Sequence, residues 1–179
     1  MKGFSKFIFT WVLGWKMTDT FPKYLKKYVV IAAPHTSWQD FPIALLVRSI
    51  SGEKIHFIGK DSLFRAPFGF IFRALGGTPV NRTQSNRLID TIIELFNSKE
   101  EFKLGLSPEG TRKKVAKWKT GFYYIAKGAH VPIVMATLDF GNKNVKISEP
   151  YYLTSDMHRD FEYFYSFYKG IKGRHPELS

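Results

Sequence analysis

The sequence predicts a single α/β domain in which a mixed, mostly parallel sheet is flanked by helices and preceded by a short N-terminal amphipathic helix. Three observations predict this fold class. The chain has 179 residues, which suits one domain with one hydrophobic core. Short apolar runs alternate along it with segments of helical period. Polar turns follow the ends of several predicted strands, as they do in α/β domains.

The individual elements follow from apolar periodicity and from the turn residues between the runs. Strands are predicted at 28–33, 54–59, 78–81, 102–107, 131–140 and 144–150. Helices are predicted at 42–50, 62–77 with a break at Pro67, 85–97, 119–127 and 156–170. Gly128 suits the end of the fourth of these helices, because glycine readily adopts the left-handed conformation that ends many helices.

Residues 1–17 are predicted to form a membrane-contact helix ahead of a domain at 18–179. Bulky apolar side chains share one helical face and lysines flank them, which is typical of a helix in the headgroup region of a membrane. The predicted membrane-contact residues are Phe4, Phe7, Ile8, Trp11 and Trp15. The alternative is a helix that packs on the core of the domain. Under the membrane hypothesis, we expect deletion of residues 1–17 to weaken vesicle binding and leave the fold intact.

This N-terminal segment does not have the pattern of a signal peptide or of a transmembrane span. Its apolar run is short and interrupted, and the polar sequence Thr18-Asp19-Thr20 follows it. The run from Phe4 to Trp15 would extend about 18 Å as a helix, whereas the hydrocarbon core of a bilayer is about 30 Å thick. We therefore expect a peripheral or monotopic protein on the cytoplasmic face of a membrane.

The composition indicates a negatively charged partner. The chain has 27 Lys and Arg residues against 15 Asp and Glu residues, a net charge of +12, and 17% aromatic residues. This combination fits an anionic membrane surface and single-stranded nucleic acid about equally. A non-enzymatic polyanion-binding module is therefore one hypothesis. Cysteine is absent, which excludes disulfides, thiolate nucleophiles and cysteine-based metal sites.

A histidine and an aspartate follow the strand predicted at 28–33. Residues five apart lie on different faces of a helix, so contact between His35 and Asp40 requires His35 in the turn and Asp40 at the helix start. The carboxylate would then hold one imidazole nitrogen and leave the other free as a base. The alternative is a helix cap, because Ser37-x-x-Asp40 is a capping-box pattern. The spacing alone leaves both interpretations open.

Two further polar clusters follow predicted strands. The segment LSPEGTR at 106–112 combines a turn containing proline and glycine with Arg112, whose guanidinium suits a bidentate contact with phosphate. The preceding Gly105-x-Ser107-x-Glu109 lacks the last glycine of a nucleophile elbow, which argues against a serine hydrolase. In GGTPVNR at 76–82, the two glycines allow close approach of the backbone. Either cluster alone could be a surface turn.

Together, the order and spacing of these clusters resemble those of the glycerolipid acyltransferase family, which includes the lysophosphatidic acid acyltransferases. The matching motifs are His35-TSWQ-Asp40, Gly76-GTPVN-Arg82, Pro108-Glu109-Gly110-Thr111-Arg112 and Val131-Pro132-Ile133-Val134. The resemblance covers about residues 28–140. One departure is Asn81, at a position where the family often has aspartate, and it bears on the preference for the acceptor headgroup.

The resemblance implies an O-acyltransferase that moves a fatty acyl group from acyl-CoA or an acyl carrier protein to a lysolipid hydroxyl. His35 would be the general base and Asp40 would orient it. The expected acceptor is 1-acylglycerol 3-phosphate, and a lyso-aminolipid or another hydroxylated lipid is the alternative. The implied substrate-binding residues are Lys60, Arg82, Glu109, Gly110, Thr111 and Arg112. We expect a membrane lipid surface as partner, and no bound cofactor, metal or nucleic acid.

Overall fold

The secondary structure alternates between strands and helices, as the sequence predicts. The computed structural model describes residues 2–80 and 85–179. The strands in this part of the chain are β1 (Lys16–Met17), β2 (Lys27–Ala33), β3 (Ile55–Lys60), β4 (Gly77–Val80), β5 (Phe102–Leu106), β6 (Ile133–Thr137) and β7 (Asn144–Val145). The α-helices are α1 (Lys2–Phe7), α2 (Asp40–Ser51), α3 (Gly69–Ala74), α4 (Ser85–Ser98), α5 (Gly121–Gly128) and α6 (Met157–Tyr168). Shorter helical segments are a π-helix at Ile8–Val12 and 3₁₀ turns at Asp61–Phe64 and Pro176–Leu178.

The centre of the molecule is a five-stranded parallel sheet with the strand order β4-β3-β5-β2-β6. Its middle strands are nearly continuous apolar runs, as expected for parallel strands that are covered on both faces. The register pairs Ile31 of β2 with Leu106 of β5, and Ala33 of β2 with Thr137 of β6. The turns that leave β2 and β5 therefore begin side by side at one edge of the sheet.

The sheet is mixed only beyond β6, where the sequence predicts a final strand at 144–150. Isolated antiparallel bridges join this segment to β6, for example between Ala136 and Ile147. The ladder stays irregular because the Ser148 hydroxyl, in place of a backbone carbonyl, accepts a hydrogen bond from the Met135 N–H. Only β7 forms a regular strand here, and it pairs in parallel with β1. The predicted α/β fold with a mixed, mostly parallel sheet is confirmed.

Two hydrophobic clusters lie on opposite faces of the sheet. One face carries α4, α5 and α6, which bury side chains such as Phe96, Ile125 and Phe164 against the sheet. The other face carries α2 together with α1 and the π-helix. α3 lies on this second face too, because the Phe72 and Phe41 ring centroids are 6.5 Å apart and Phe41 contacts Phe57 of β3 at 5.1 Å.

The N-terminal segment belongs to the core more than the sequence suggests. Phe9 is 2% exposed and Trp15 is 4% exposed, and Trp15 makes an edge contact of 4.8 Å with Phe140. Trp15 is therefore wrongly predicted as a membrane-contact residue. Deletion of residues 1–17 would remove both core rings, so the structure argues against the expectation that the deletion leaves the fold intact. Phe4, Phe7 and Trp11 are exposed on the outer side of the segment, and Ile8 is half-buried.

None of the helices among residues 2–80 and 85–179 has the length and the apolar character needed to cross a membrane. The helix predicted at 62–77 is also shorter in the structure than in the prediction. It consists of a 3₁₀ turn at Asp61–Phe64 and of α3, with Pro67 between them.

Candidate active site

The predicted pair His35 and Asp40 is in contact in the structure. His35 lies in the turn after β2 and Asp40 is the first residue of α2, with 2.8 Å between His35 Nδ1 and Asp40 Oδ2. The carboxylate is almost fully buried, whereas about a quarter of the His35 side chain is exposed. Because a carboxylate can only accept, Nδ1 carries the hydrogen of this bond in the neutral imidazole. Nε2 is then left with a free lone pair.

Asp40 also fixes the turn ahead of α2, which is part of what the capping interpretation predicts. The Ser37 N–H donates to the same Asp40 Oδ2 at 2.9 Å, which is one half of a capping box. The other half is absent, because the Ser37 hydroxyl accepts from the Gln39 N–H instead. The second carboxylate oxygen, Oδ1, is buried and has no hydrogen-bond partner among the described residues. The single oxygen Oδ2 therefore holds both the turn ahead of α2 and the imidazole.

Glu109 connects the two neighbouring turns. Its Oε1 accepts from the His35 backbone N–H at 3.0 Å, and its Oε2 accepts from the Ser107 hydroxyl at 2.6 Å. The side chain is buried, so this carboxylate positions the turn that carries His35. The sequence pattern includes Ser107 only as a failed nucleophile elbow and gives no sign of its contact with Glu109.

The turn at 107–110 depends on a glycine with positive φ. Gly110 has φ 65°, and its N–H donates to the Ser107 carbonyl at 3.2 Å. A Cβ at this position would also lie 2.8 Å from the Lys119 side chain. The Lys119 N–H in turn donates to the Pro108 carbonyl at 2.9 Å. These contacts fix the backbone from which Thr111 and Arg112 extend.

A cleft of about 1450 Å³ brings the two turns together. Its lining includes His35, Asp40, Gly110, Thr111 and Arg112, which the sequence places in two separate motifs. The apolar part of its wall comes from α2, β3, α4 and α5, and includes Phe41, Leu45, Phe57, Leu88, Ile92 and Phe122. Lys113 and Lys119 join Arg112 as basic lining residues. The cleft thus combines an imidazole held by a buried carboxylate, positive charge and apolar side chains.

Three of the six predicted substrate-binding residues are not among those that line this cleft. One of them is Glu109, which is buried and whose two oxygens accept from His35 and Ser107. The other two fall where the structure gives no description. Arg82 lies outside the described residues, and so does the side chain of Lys60 at the end of β3. The glycines of the same motif pack against the fold, since a Cβ on Gly77 would lie 2.8 Å from the Phe64 ring. The roles of Lys60 and Arg82 remain predictions.

The C-terminal segment is a part of the site that the sequence does not indicate. The His175 N–H donates to the Thr36 hydroxyl at 3.1 Å, and Thr36 directly follows His35. Gly173 also approaches closely, since a Cβ on it would lie 2.5 Å from Thr36 Oγ1. His175 and Leu178 line the same cleft as His35. Residues 170–179 lack apolar periodicity, and His175 has no companion motif, so no sequence signal marks this contact.

Two groups next to the site, the half-buried His56 and the buried Tyr168, have shifted pKa values. Burial, together with the positive charge of Lys99, lowers the pKa of His56, which lines the cleft from β3. Burial raises the pKa of Tyr168 well above its usual value, and its hydroxyl donates to the Ile31 carbonyl at 2.6 Å. Both side chains are therefore uncharged at neutral pH. Within the described ranges, no three His, Asp or Glu side chains are grouped as metal ligands.

The sequence and the fold place the chain in a known class of enzymes. The profile of the acyltransferase family matches residues 16–138, which is more than half of the chain, so the chain belongs to the acyltransferase family. The family resemblance predicted from the four motifs is thereby confirmed.

One similar solved structure is that of the 1-acyl-sn-glycerophosphate (LPA) acyltransferase PlsC from Thermotoga maritima. The TM-score is 0.63, with 23% sequence identity, over 93% of this chain and 74% of that chain. This likeness shows a shared fold. None of the curated protein sequences matches the chain significantly.

Proposed function

We propose that this acyltransferase transfers a fatty acyl group from an acyl thioester to the hydroxyl of a lysolipid, with 1-acylglycerol 3-phosphate as the first acceptor to test. The observation that carries the proposal is the 2.8 Å contact between His35 Nδ1 and Asp40 Oδ2 in the wall of a large cleft. A buried carboxylate that holds one imidazole nitrogen leaves the other available as a general base.

The chemistry requires no covalent intermediate on the protein. The acceptor hydroxyl gives its proton to His35 Nε2 while its oxygen forms a bond to the thioester carbonyl carbon. The tetrahedral intermediate then collapses, the carbon–sulfur bond breaks, and the departing sulfur takes the proton from the imidazolium. The products are an ester and a free thiol. General base catalysis of this kind typically contributes about 10²–10⁴-fold to the rate.

The charges in the cleft support an acceptor with a phosphate group. Arg112 presents a planar fork of donors, and Lys113 and Lys119 add positive charge to the lining. Thr111 and Gly110 shape the turn next to Arg112, and Glu109 holds that turn against His35. The same basic residues would also attract the phosphates of CoA or the acidic surface of an acyl carrier protein. The resemblance alone adds Lys60 and Arg82 to this set.

A lipid acceptor places the enzyme at a membrane surface. Phe4, Phe7 and Trp11 are exposed on the N-terminal segment, and Lys2 and Lys6 on the same helix are exposed as well. Aromatic side chains favour the interface of a bilayer, and lysines favour anionic headgroups. These features support a peripheral or monotopic location, which we propose to be the cytoplasmic face of the membrane.

The proposal is tested by the release of thiol from a long-chain acyl-CoA and from the matched acyl carrier protein thioester. Each donor is offered with 1-acylglycerol 3-phosphate, a lyso-aminolipid or no acceptor. The wild type is compared with His35→Ala and with His158→Ala, a control that removes a highly exposed histidine on α6. We expect acceptor-dependent release with the wild type and with His158→Ala, and a loss of about 10²-fold or more with His35→Ala.

Other outcomes would contradict parts of the proposal. Thiol release that does not depend on any acceptor would indicate a thioesterase. Transfer that is unaffected by His35→Ala would remove His35 as the base. A preference for the lyso-aminolipid would keep the reaction and change the acceptor. Tight, salt-sensitive binding to oligonucleotides without any thiol release would favour the polyanion-binding hypothesis.

A further inference from the structure

The exposed apolar side chains are unevenly distributed over the surface. In the described part of the chain, the large exposed hydrophobic residues other than tyrosine all lie in or beside the layer of α1, the π-helix, α2 and α3. They are Phe4, Phe7, Trp11, Val12, Trp38, Leu63, Phe68, Phe70 and Ile71. Elsewhere the large exposed hydrophobic residues are Tyr24, Tyr124, Tyr152, Tyr163 and Tyr165. A tyrosine side chain can keep its hydroxyl in contact with water. The first group, which lies near α1, the π-helix, α2 and α3, has no polar group at the side-chain ends, apart from the indole N–H of the two tryptophans.

This first group falls into two areas, one in α1 and the π-helix and the other between Trp38 and Ile71. The N-terminal area belongs to the membrane contact already proposed. The second area, which we call the α3 patch, consists of Trp38, Leu63, Phe68, Phe70 and Ile71. Phe68 is 65% exposed and Phe70 is 68% exposed. Several large apolar side chains exposed in one short segment are a feature of interaction sites.

The segment that carries the α3 patch is anchored to the sheet. The Phe64 ring is buried and packs directly on Gly59 and Gly77. A Cβ on Gly59 would lie 2.9 Å from this ring, and a Cβ on Gly77 would lie 2.8 Å from it. Arg73 donates to the Phe64 carbonyl at 3.0 Å, and Phe72 faces Phe41 of α2. The patch is thus the outer surface of a segment whose inner side chains are already packed.

The α3 patch adjoins the cleft of the proposed active site. Leu63 belongs to the patch and also lines the cleft together with His35 and Phe41. Trp38 lies in the turn between His35 and Asp40 and is 66% exposed. A surface that covered this patch would therefore lie beside the cleft wall that carries the proposed base.

We propose that the α3 patch is a second membrane-contact surface, which seats the cleft on an anionic phospholipid bilayer together with the N-terminal area. The inference rests on the proposed function, because a lysolipid acceptor must reach His35 from a bilayer. Its chemistry matches a lipid interface: aromatic rings at the surface, the exposed Arg65 and Arg73 within the same segment, and a chain with a net charge of +12.

Vesicle binding by the full chain tests the patch directly. The double variant Phe68→Ser and Phe70→Ser is compared with Tyr24→Ser and Tyr152→Ser, a control that removes two rings of similar exposure (74% and 63%). We expect the patch variant to bind vesicles of phosphatidylcholine and phosphatidylglycerol about tenfold more weakly or worse, and the control to match the wild type. Equal binding by the patch variant and the wild type would overturn the inference.

A label gives a second measurement that does not depend on weakened binding. Because the chain has no cysteine, Phe70→Cys and Tyr152→Cys each provide a single site for an environment-sensitive fluorophore. We expect a blue shift with vesicles for the label at position 70 and none at position 152. No shift at position 70 on vesicle-bound protein would overturn the inference. So would a shift that needs only a higher protein concentration, because it would assign the patch to a second copy of the chain.

These readouts separate the inference from the proposed reaction. A blue shift at position 70 with no thiol release for any acceptor would uphold the surface and contradict the reaction. The label at position 70 could also stay in water on vesicle-bound protein that still transfers acyl groups. That result would uphold the reaction and overturn the α3 patch as a membrane-contact surface.

Discussion

The substitution Asp40→Asn tests the central pair with a magnitude that the structure sets. A single oxygen, Oδ2, accepts from both the Ser37 N–H and His35 Nδ1. In Asp40→Asn, the side-chain oxygen takes the place of Oδ2 and keeps both hydrogen bonds. The reversed orientation of the amide is disfavoured, because it would bring the NH₂ group against the Ser37 N–H. The variant therefore preserves the imidazole tautomer, removes the negative charge and places an NH₂ group where Oδ1 lies.

The loss of this charge should reduce kcat by about 5- to 12-fold, from a difference of about 1–1.5 kcal/mol between the two kinds of hydrogen bond. A hydrogen bond to an ionised partner contributes about 1.5–3 kcal/mol, against about 0.5–1.5 kcal/mol for a neutral one, and each 1.4 kcal/mol changes a rate about tenfold. Asp40→Ala removes the acceptor altogether, and we expect it to lose nearly as much activity as His35→Ala. Asp156→Asn is the matched control, since asparagine caps a helix as well as the aspartate that caps α6.

The assay is single-turnover thiol release at a saturating donor concentration, accompanied by thermal unfolding of each variant. In Asp40→Asn the amide NH₂ replaces the buried, unpartnered Oδ1, so we also expect a loss of about 1–3 kcal/mol of stability. A decrease in kcat of less than threefold would refute the role of Asp40 in holding His35. A loss as large as that of His35→Ala would refute the argument that a neutral oxygen preserves the imidazole.

Three further predictions concern packing. Burial alone would raise the pKa of Asp160, but hydrogen bonds from Tyr151, Thr154 and Tyr123 lower it. Asp160→Asn should therefore reduce the free energy of unfolding in urea by about 3 kcal/mol. The control Glu162→Gln, at an exposed position, should reduce it by less than about 1 kcal/mol. Because the pKa of Asp160 in the folded protein lies below its usual 3.8, the difference in stability between the wild type and Asp160→Asn should vanish as the pH falls through that folded pKa. Phe96→Ala should cost about 3–5 kcal/mol by the same measurement. Gly173→Ala should lower kcat with little change in the melting temperature, because its Cβ would displace Thr36, and a melting temperature that falls with an unchanged kcat would contradict this.

The parts of the fold that can be predicted from the sequence are those governed by local periodicity. The apolar run of β2 and the helical period of α4 give those elements almost to the residue. The bounds of α3 are harder to predict, because Phe64 is held by two glycines that lie on β3 and β4, and such tertiary contacts leave no periodic signal. The strand predicted at 144–150 is also mostly irregular, because the Ser148 hydroxyl accepts from the Met135 N–H in place of a backbone carbonyl, and the sequence gives no signal of this contact.

The N-terminal segment shows why one apolar face can be interpreted in two ways. The helical period correctly groups Phe4, Phe7 and Trp11, which share the exposed side. It also places Trp15 with them, and Trp15 is buried. The chain passes from α1 into a π-helix and then through Gly14, which has φ 70°, so the face rotates before Trp15 is reached. Periodicity predicts which residues share a face only while the helical geometry stays constant.

The active-site turn is held at three consecutive residues, by two distant parts of the chain and by Asp40 at the start of α2. The His35 N–H is bound by Glu109 from the turn after β5, the Thr36 hydroxyl by the C-terminal segment, and the Ser37 N–H by Asp40. The capping-box pattern in the sequence indicates the third of these contacts, whereas the family resemblance assigns Glu109 to substrate binding and does not indicate the first. The second contact uses the backbone N–H of His175 and the absence of a Cβ on Gly173, and neither depends on a distinctive side chain. Because all three act on one short turn, we expect their effects on kcat to be non-additive in double-mutant cycles.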